Sequence, residues 1–196
     1  MSALLAVLAP FRIVNEAVFK LGRGIGVICV AAMVVAILIQ VFYRYVLNNA
    51  LPWPDEAARF AMLWMTGLMA PTAFRRGGFV AIDMVVRMLP QKVGALLSLF
   101  LLFVMLLVLV ISVQIGWSEV TGFGGKFATA SLYVPLDLSF TEWFRVPRSW
   151  MMASLLVGII MMISANIELI LRSVISLLGG ADTLPEIPGA ENVGAE

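Results

Sequence analysis

Four stretches of the chain, residues 24–40, 60–74, 93–113 and 150–167, contain no Asp, Glu, Lys, Arg or His. With their flanks, each supplies the roughly 20 residues that a helix needs to cross a bilayer. The pattern predicts an all-α membrane protein with four transmembrane helices over about 24–47, 55–76, 91–117 and 147–172. These runs are apolar almost all round, so periodicity does not say which faces meet lipid and which meet protein.

Between the runs the pattern changes. In residues 11–21, Ile13, Val14, Ala17, Val18 and Leu21 share one helical face, while Arg12, Asn15, Glu16 and Lys20 lie mostly elsewhere. That spacing predicts a short interfacial amphipathic helix within a cytoplasmic segment, 1–23. After Gly77 and Gly78, Phe79, Ile82, Val86 and Leu89 again fall at helical spacing. Asp83 and Arg87 stand four apart on the opposite face, where they can pair, and Pro90 ends the segment, which predicts a second interfacial helix over 79–90.

The connection 118–146 is rich in breakers, with Gly122, Gly124, Gly125 and Pro135, and is expected to form a small structured platform. Ser139 and Glu142 have the S-x-x-E form of a capping box, and Pro147 suits the first turn of the last span. Trp117, Tyr133, Trp143 and Trp150 suit an interfacial aromatic belt. Residues 179–196 are acidic and poor in apolar side chains, and read as a disordered cytoplasmic tail.

Composition supports a membrane setting: 62% of residues are hydrophobic and 13% charged, where soluble domains hold about a quarter charged. A net charge of +1 gives no electrostatic reason to expect nucleic acid. The one cysteine, Cys29, rules out an intrachain disulfide. The absence of histidine removes bis-His haem ligation, most zinc sites and any histidine base. The chain is therefore expected to be no enzyme and to hold no cofactor or metal. The start lacks the basic region of a cleavable signal peptide, so the first run is kept as a span.

Orientation follows from the basic residues. With the N-terminus inside, the inner side holds Arg12, Lys20, Arg23, Arg75, Arg76, Arg87, Lys92 and Arg172, against Arg44, Arg59, Lys126, Arg145 and Arg148 outside. This bias predicts an N-in, C-in topology.

Polar chemistry concentrates where the first two spans meet. Pro54 can open the second helix and place Asp55 and Glu56 in its first turn, where the unpaired N–H groups favour negative charge. Glu56 and Arg59 share a face, and Arg44 is positioned to reach across the turn toward Asp55 or Glu56. The cluster reads either as a helix cap with snorkelling arginines or as a clamp between helices or subunits. The spacings Gly22-x-x-x-Gly26 and Ser154-x-x-x-Gly158 permit close helix approach.

Arg44-Tyr45, Trp53-x-Asp55-Glu56-x-x-Arg59, Trp64, Gly67, Arg75-x-Gly77 and Ile82-Asp83 together resemble the small membrane subunit of tripartite ATP-independent periplasmic (TRAP) transporters. The motifs cover roughly 40–90, and the four-span layout extends the likeness over nearly the whole chain. Phe79 stands where the family commonly has a histidine, and the loop before the last span is longer than is usual.

The resemblance implies a bacterial inner-membrane scaffold subunit of a sodium-coupled secondary transporter for an organic anion, a dicarboxylate or sugar acid. Its implied partners are a large multi-span membrane subunit, which moves in an elevator-like cycle, a periplasmic solute-binding protein, and membrane lipid. Under it, Arg44, Trp53, Asp55, Glu56 and Arg59 would fix the outer turn, and Arg75, Asp83 and Arg87 would orient the inner interfacial helix. Lys126, Arg145 and Arg148 would meet the binding protein. Two other classes stay open: an anchor subunit of a membrane enzyme complex, and a small homo-oligomeric transporter using Gln40, Gln114, Asn166 and Glu168.

Overall fold

A computed structural model describes residues 2–77, 90–135, 142–180, 184, 185 and 187. The helices are α1 (Ser2–Tyr45), α2 (Trp53–Arg75), α3 (Gln91–Thr121) and α4 (Ser149–Leu177). Between α3 and α4 lie a single 3-10 turn (Phe123–Lys126) and an antiparallel hairpin of β1 (Ala128–Pro135) and β2 (Trp143–Pro147). Helices α1, α3 and α4 are long and apolar enough to cross a membrane. The interfacial helix expected over 79–90, with Asp83 and Arg87, and most of the tail fall outside the described residues.

Helix α1 departs from the expected division at residues 23 and 24. It runs unbroken for 44 residues, roughly 66 Å at about 1.5 Å per residue, or about twice the thickness of a bilayer's hydrocarbon core. No breaker stands at Arg23-Gly24 to justify a joint, because one glycine inside a helix costs only about 1 kcal/mol. The apolar face of residues 11–21 points away from the bundle: Ile13 and Leu21 are 61% and 66% exposed, whereas Asn15 and Phe19 are buried. A soluble helix would be turned the other way.

Helix α2 carries the closest packing. Pro71 has no N–H for the Gly67 carbonyl one turn back, and that carbonyl faces Gly158 of α4. A Cβ built on Gly158 would stand 2.6 Å from the Gly67 oxygen, and one on Gly67 would collide with the Ser154 carbonyl. A Cβ on Gly22 of α1 would approach the Leu68 oxygen to 3.1 Å. The backbones of α1 and α4 therefore press onto α2 through small residues, the arrangement that lets helices associate where burial of apolar surface gives no drive. A compact cluster of Phe19, Phe74 and Ala165, flanked by Leu102, Met105 and Met161, continues the packing toward α3.

The connection expected to hold a capping box is organised differently. Glu142 is followed by strand β2, and α4 begins at Ser149, so Pro147 closes a strand instead of opening a helix. Ser139 lies outside the described residues. The Arg148 N–H donates to the Phe127 carbonyl at 2.8 Å, which carries the chain from hairpin to helix.

Gly67→Ala should lower thermal stability in detergent by about 1–3 kcal/mol, since two backbones must separate. Gly24→Ala, at a position with open space around its Cβ, should be neutral or stabilising. Equal melting temperatures for both variants would rule out the packing account.

Candidate functional site: a buried carboxylate joining three helices

Glu168 of α4 is fully buried, and its two oxygens receive hydrogen bonds from α1, α2 and α4 itself. Arg75, in the last turn of α2, binds it in a two-pronged fashion, Nε to Oε2 at 2.8 Å and Nη2 to Oε1 at 2.7 Å. Asn15 of α1 donates to Oε2 at 2.8 Å. Arg172, one turn along α4, donates from Nε to Oε1 at 3.2 Å. Four donors on two oxygens fill the hydrogen-bonding capacity of a carboxylate. Charge-assisted, bidentate contacts of this kind are the strong ones in a medium of low polarity.

The amide of Asn15 is held in turn. Ser164 Oγ donates to its Oδ1 at 2.6 Å, and Asn15 Nδ2 also reaches the Ser164 carbonyl at 3.2 Å. The hydroxyl thus selects the amide orientation that points N–H at Glu168. The Phe19 ring lies beside the Arg75 guanidinium, 5.8 Å from its carbon, adding a cation–π contact. Because the carboxylate is saturated by donors, it offers neither a free base nor a metal ligand. The arrangement works as an immobile tie.

A second polar contact sits at the other end of α2. Four residues lie between Ala128 and Tyr133 on β1, but only one lies between their partners Pro147 and Arg145 on β2. This irregularity leaves backbone groups of residues 129–131 outside the ladder. Glu56 takes the N–H groups: Ala130 donates to Oε1 at 2.9 Å and Ser131 to Oε2 at 2.5 Å. Arg145 takes the carbonyls, Nε to Thr129 O at 2.5 Å and Nη2 to Ala130 O at 2.9 Å. Two opposite charges thus hold the bulged strand from its two sides and fasten the hairpin to α2.

The proposed outer cluster is accordingly divided. Glu56 faces the hairpin, whereas Arg44 lies against the neighbouring Tyr45 ring at 5.8 Å. Asp55, Arg59 and Trp53 are exposed on the first turns of α2. Among the described residues the ion pairs are those of Glu168 with Arg75 and Arg172, so the bridge expected from Arg44 to Asp55 or Glu56 is not formed. Arg75, assigned by its position to the inner interfacial helix, instead belongs to the Glu168 tie. Lys126 and Arg148 are exposed at the hairpin end, while Arg145 is engaged with its own strand.

In sequence, Glu168 stands out only as one of the polar candidates for a homo-oligomeric transporter, and not as a partner of Arg75. The signal was present: Glu168 and Arg172 are four apart at the edge of an apolar run, and a cation at Arg75 stands at the same end of the bundle. What periodicity does not supply is the facing of Asn15, which sits among charged residues and resembles an ordinary exposed position.

The family model for the DctQ component of tripartite ATP-independent periplasmic transporters matches residues 33–175. The chain belongs to this family. The match takes in all of α2, α3 and the hairpin, most of α4, and both Arg75 and Glu168. A search of curated proteins finds no match. The DctQ chain is thus a multi-pass, predominantly helical membrane protein and a transporter component, in agreement with the resemblance carried by its motifs.

Glu168→Gln should destabilise the folded DctQ chain by about 3–5 kcal/mol, because two guanidinium groups lose their buried counter-charge. Arg75→Leu should cost a similar amount, and the double substitution less than the sum. Denaturant unfolding in detergent of the three variants measures this, and strict additivity would show that the two groups are not coupled. For the hairpin, Glu56→Ala should speed hydrogen exchange of the Ala130 and Ser131 amides at least about tenfold, given about 1.5–3 kcal/mol for bonds to a charged group. Unchanged exchange would separate Glu56 from hairpin order.

Proposed function

We propose that this DctQ chain is the fixed scaffold subunit of a sodium-coupled, binding-protein-dependent transporter for an organic anion such as a dicarboxylate or sugar acid. In this reading it supports a large multi-span subunit whose transport domain moves. Helix α2 acts as the fourth span and, with the other three, gives an N-in, C-in topology in a bacterial inner membrane. The observation that carries the proposal is the saturation of Glu168. An ion or proton path would keep a buried carboxylate available for exchange, whereas here the carboxylate is consumed in holding α1, α2 and α4 together.

Rigidity of this kind suits a part that resists sideways force from a sliding neighbour. The long α1 adds breadth, and its outward apolar face, with Ile13, Val14 and Leu21, offers anchorage in lipid or against the large subunit. The hairpin, held by Glu56 and carrying exposed Lys126 nearby, is the element best placed to meet the solute-binding protein. Arg44, Trp53, Asp55 and Arg59 would extend that surface. Asp83 and Arg87 would orient an inner interfacial helix in the same scaffold.

Proteoliposomes holding the large subunit and supplied with binding protein and a sodium gradient should take up solute only when this chain is present. Its omission should reduce the initial rate at least about tenfold, equivalent to about 1.4 kcal/mol. Full uptake by the large subunit without it would remove the scaffold role, and solute accumulation by this chain alone would replace it with a transporter.

A further inference from the structure

A cavity of about 610 Å³ opens between the C-terminal end of α2, the N-terminal half of α3 and the last turns of α4, with Leu184 and Ile187 beyond α4 completing its lining. This lies within the roughly 300–1,000 Å³ of pockets that hold small molecules. Its two ends differ in chemistry. Arg75, Arg76 and Arg172 stand at one end, and among the described residues its lining holds no carboxylate. The remaining wall is largely apolar and follows one stripe of α3 through Leu101, Met105 and Val108.

The cations at the polar end are unequally satisfied. Arg75 is committed to Glu168. Arg172 Nη1 donates to the Pro185 carbonyl at 2.7 Å, whereas Nη2 lies 3.1 Å from Glu168 Oε1 without being aligned for a hydrogen bond and remains a buried donor without an acceptor, the side chain being only 10% exposed. Arg76, partly exposed at the C-cap of α2, has no hydrogen-bonded carboxylate among the described residues. It also lines a smaller neighbouring cavity with Lys20, Arg23 and Arg75, where Glu16 is the one carboxylate, so positive charge is in excess on both sides.

We propose that this cavity binds one anionic phospholipid, with its phosphate at Arg76 and Arg172 and part of an acyl chain along the α3 stripe. Charge complementarity selects an anion. The apolar wall selects one attached to a hydrocarbon chain over a soluble phosphate or carboxylate. Among the described residues the buried Arg75 and Arg172 share the single carboxylate of Glu168; buried arginines in excess of their partners need a counter-charge, and basic pockets between membrane helices on the cytoplasmic side are suited to receive it from lipid headgroups. A bound lipid would add a non-protein wedge between α3 and the tie of Glu168, where the helices themselves leave space. The site stands independently of the scaffold role, since it is tested on this chain without transport.

The delipidated full chain in detergent can be titrated with phosphatidylglycerol and phosphatidylcholine, and retained lipid counted by native mass spectrometry. Phosphatidylglycerol should be retained at least about fivefold better, Arg76→Gln should remove about that factor, and Ser173→Phe, which fills the cavity from α4, should weaken retention of both lipids. Glycerol phosphate should not displace the bound lipid. Thermal melts establish that each variant is folded, and Arg76 takes no part in the Glu168 tie, so its substitution leaves that tie intact. Equal retention of the two lipids, indifference to both substitutions, or displacement by glycerol phosphate would each overturn the proposal, the last in favour of a soluble anion site.

Discussion

The Glu168 carboxylate is the constraint on which the bundle depends. A negative charge in so apolar a setting is tolerated only when donors replace the water it has lost, and here the donors come from separate helices. Arg75 ends α2, Asn15 lies near the start of α1, and Arg172 is one turn farther along α4. Each helix is thereby fixed in rotation and in depth relative to α4. Van der Waals packing in lipid fixes neither as sharply, because neighbouring apolar faces are interchangeable with acyl chains.

The small-residue seam complements that tie. Gly67, Gly158 and Ser154 bring the α2 and α4 backbones together in the middle of the helices, and Pro71 leaves the Gly67 carbonyl free of its usual helical donor at the contact. The polar tie then acts at one end, and Glu56 with the hairpin at the other. Helix α2 is held at both ends and along its length, although it is the least apolar of the four and is not among the three helices long and apolar enough to cross a membrane. Its Thr66, Gly67, Pro71 and Thr72 lower its affinity for lipid while giving it close neighbours. The chain has put its polar and small residues where protein surrounds them.

These features give physical content to membership of a transporter family. Under the proposed scaffold role, immobility is the useful property, and it comes from using ionisable groups as fastenings. The same economy accounts for the outward facing of apolar residues on α1 and α3, where lipid or a partner takes the place of a protein core. The cavity beside Arg172 is the exception, a place where guanidinium groups outnumber carboxylates among the described residues.

Long uncharged runs determined that this is a helical membrane protein, because hydrocarbon tolerates only backbone that satisfies its own hydrogen bonds. The motif from Arg44 to Ile82-Asp83 likewise carried the family without coordinates. The length of α1 was less legible, since interfacial and spanning helices share one backbone geometry and no breaker separates them. Strand β2 was hidden behind the S-x-x-E pattern, a local signal overridden when Glu56 and Arg145 organised β1. Only the tertiary structure decided that Asn15, Arg75 and Glu168 meet, across sequence separations of 153 and 93 residues. Apolar periodicity is silent on rotation in a chain greasy on every side, and what sets rotation is a few polar groups finding one another.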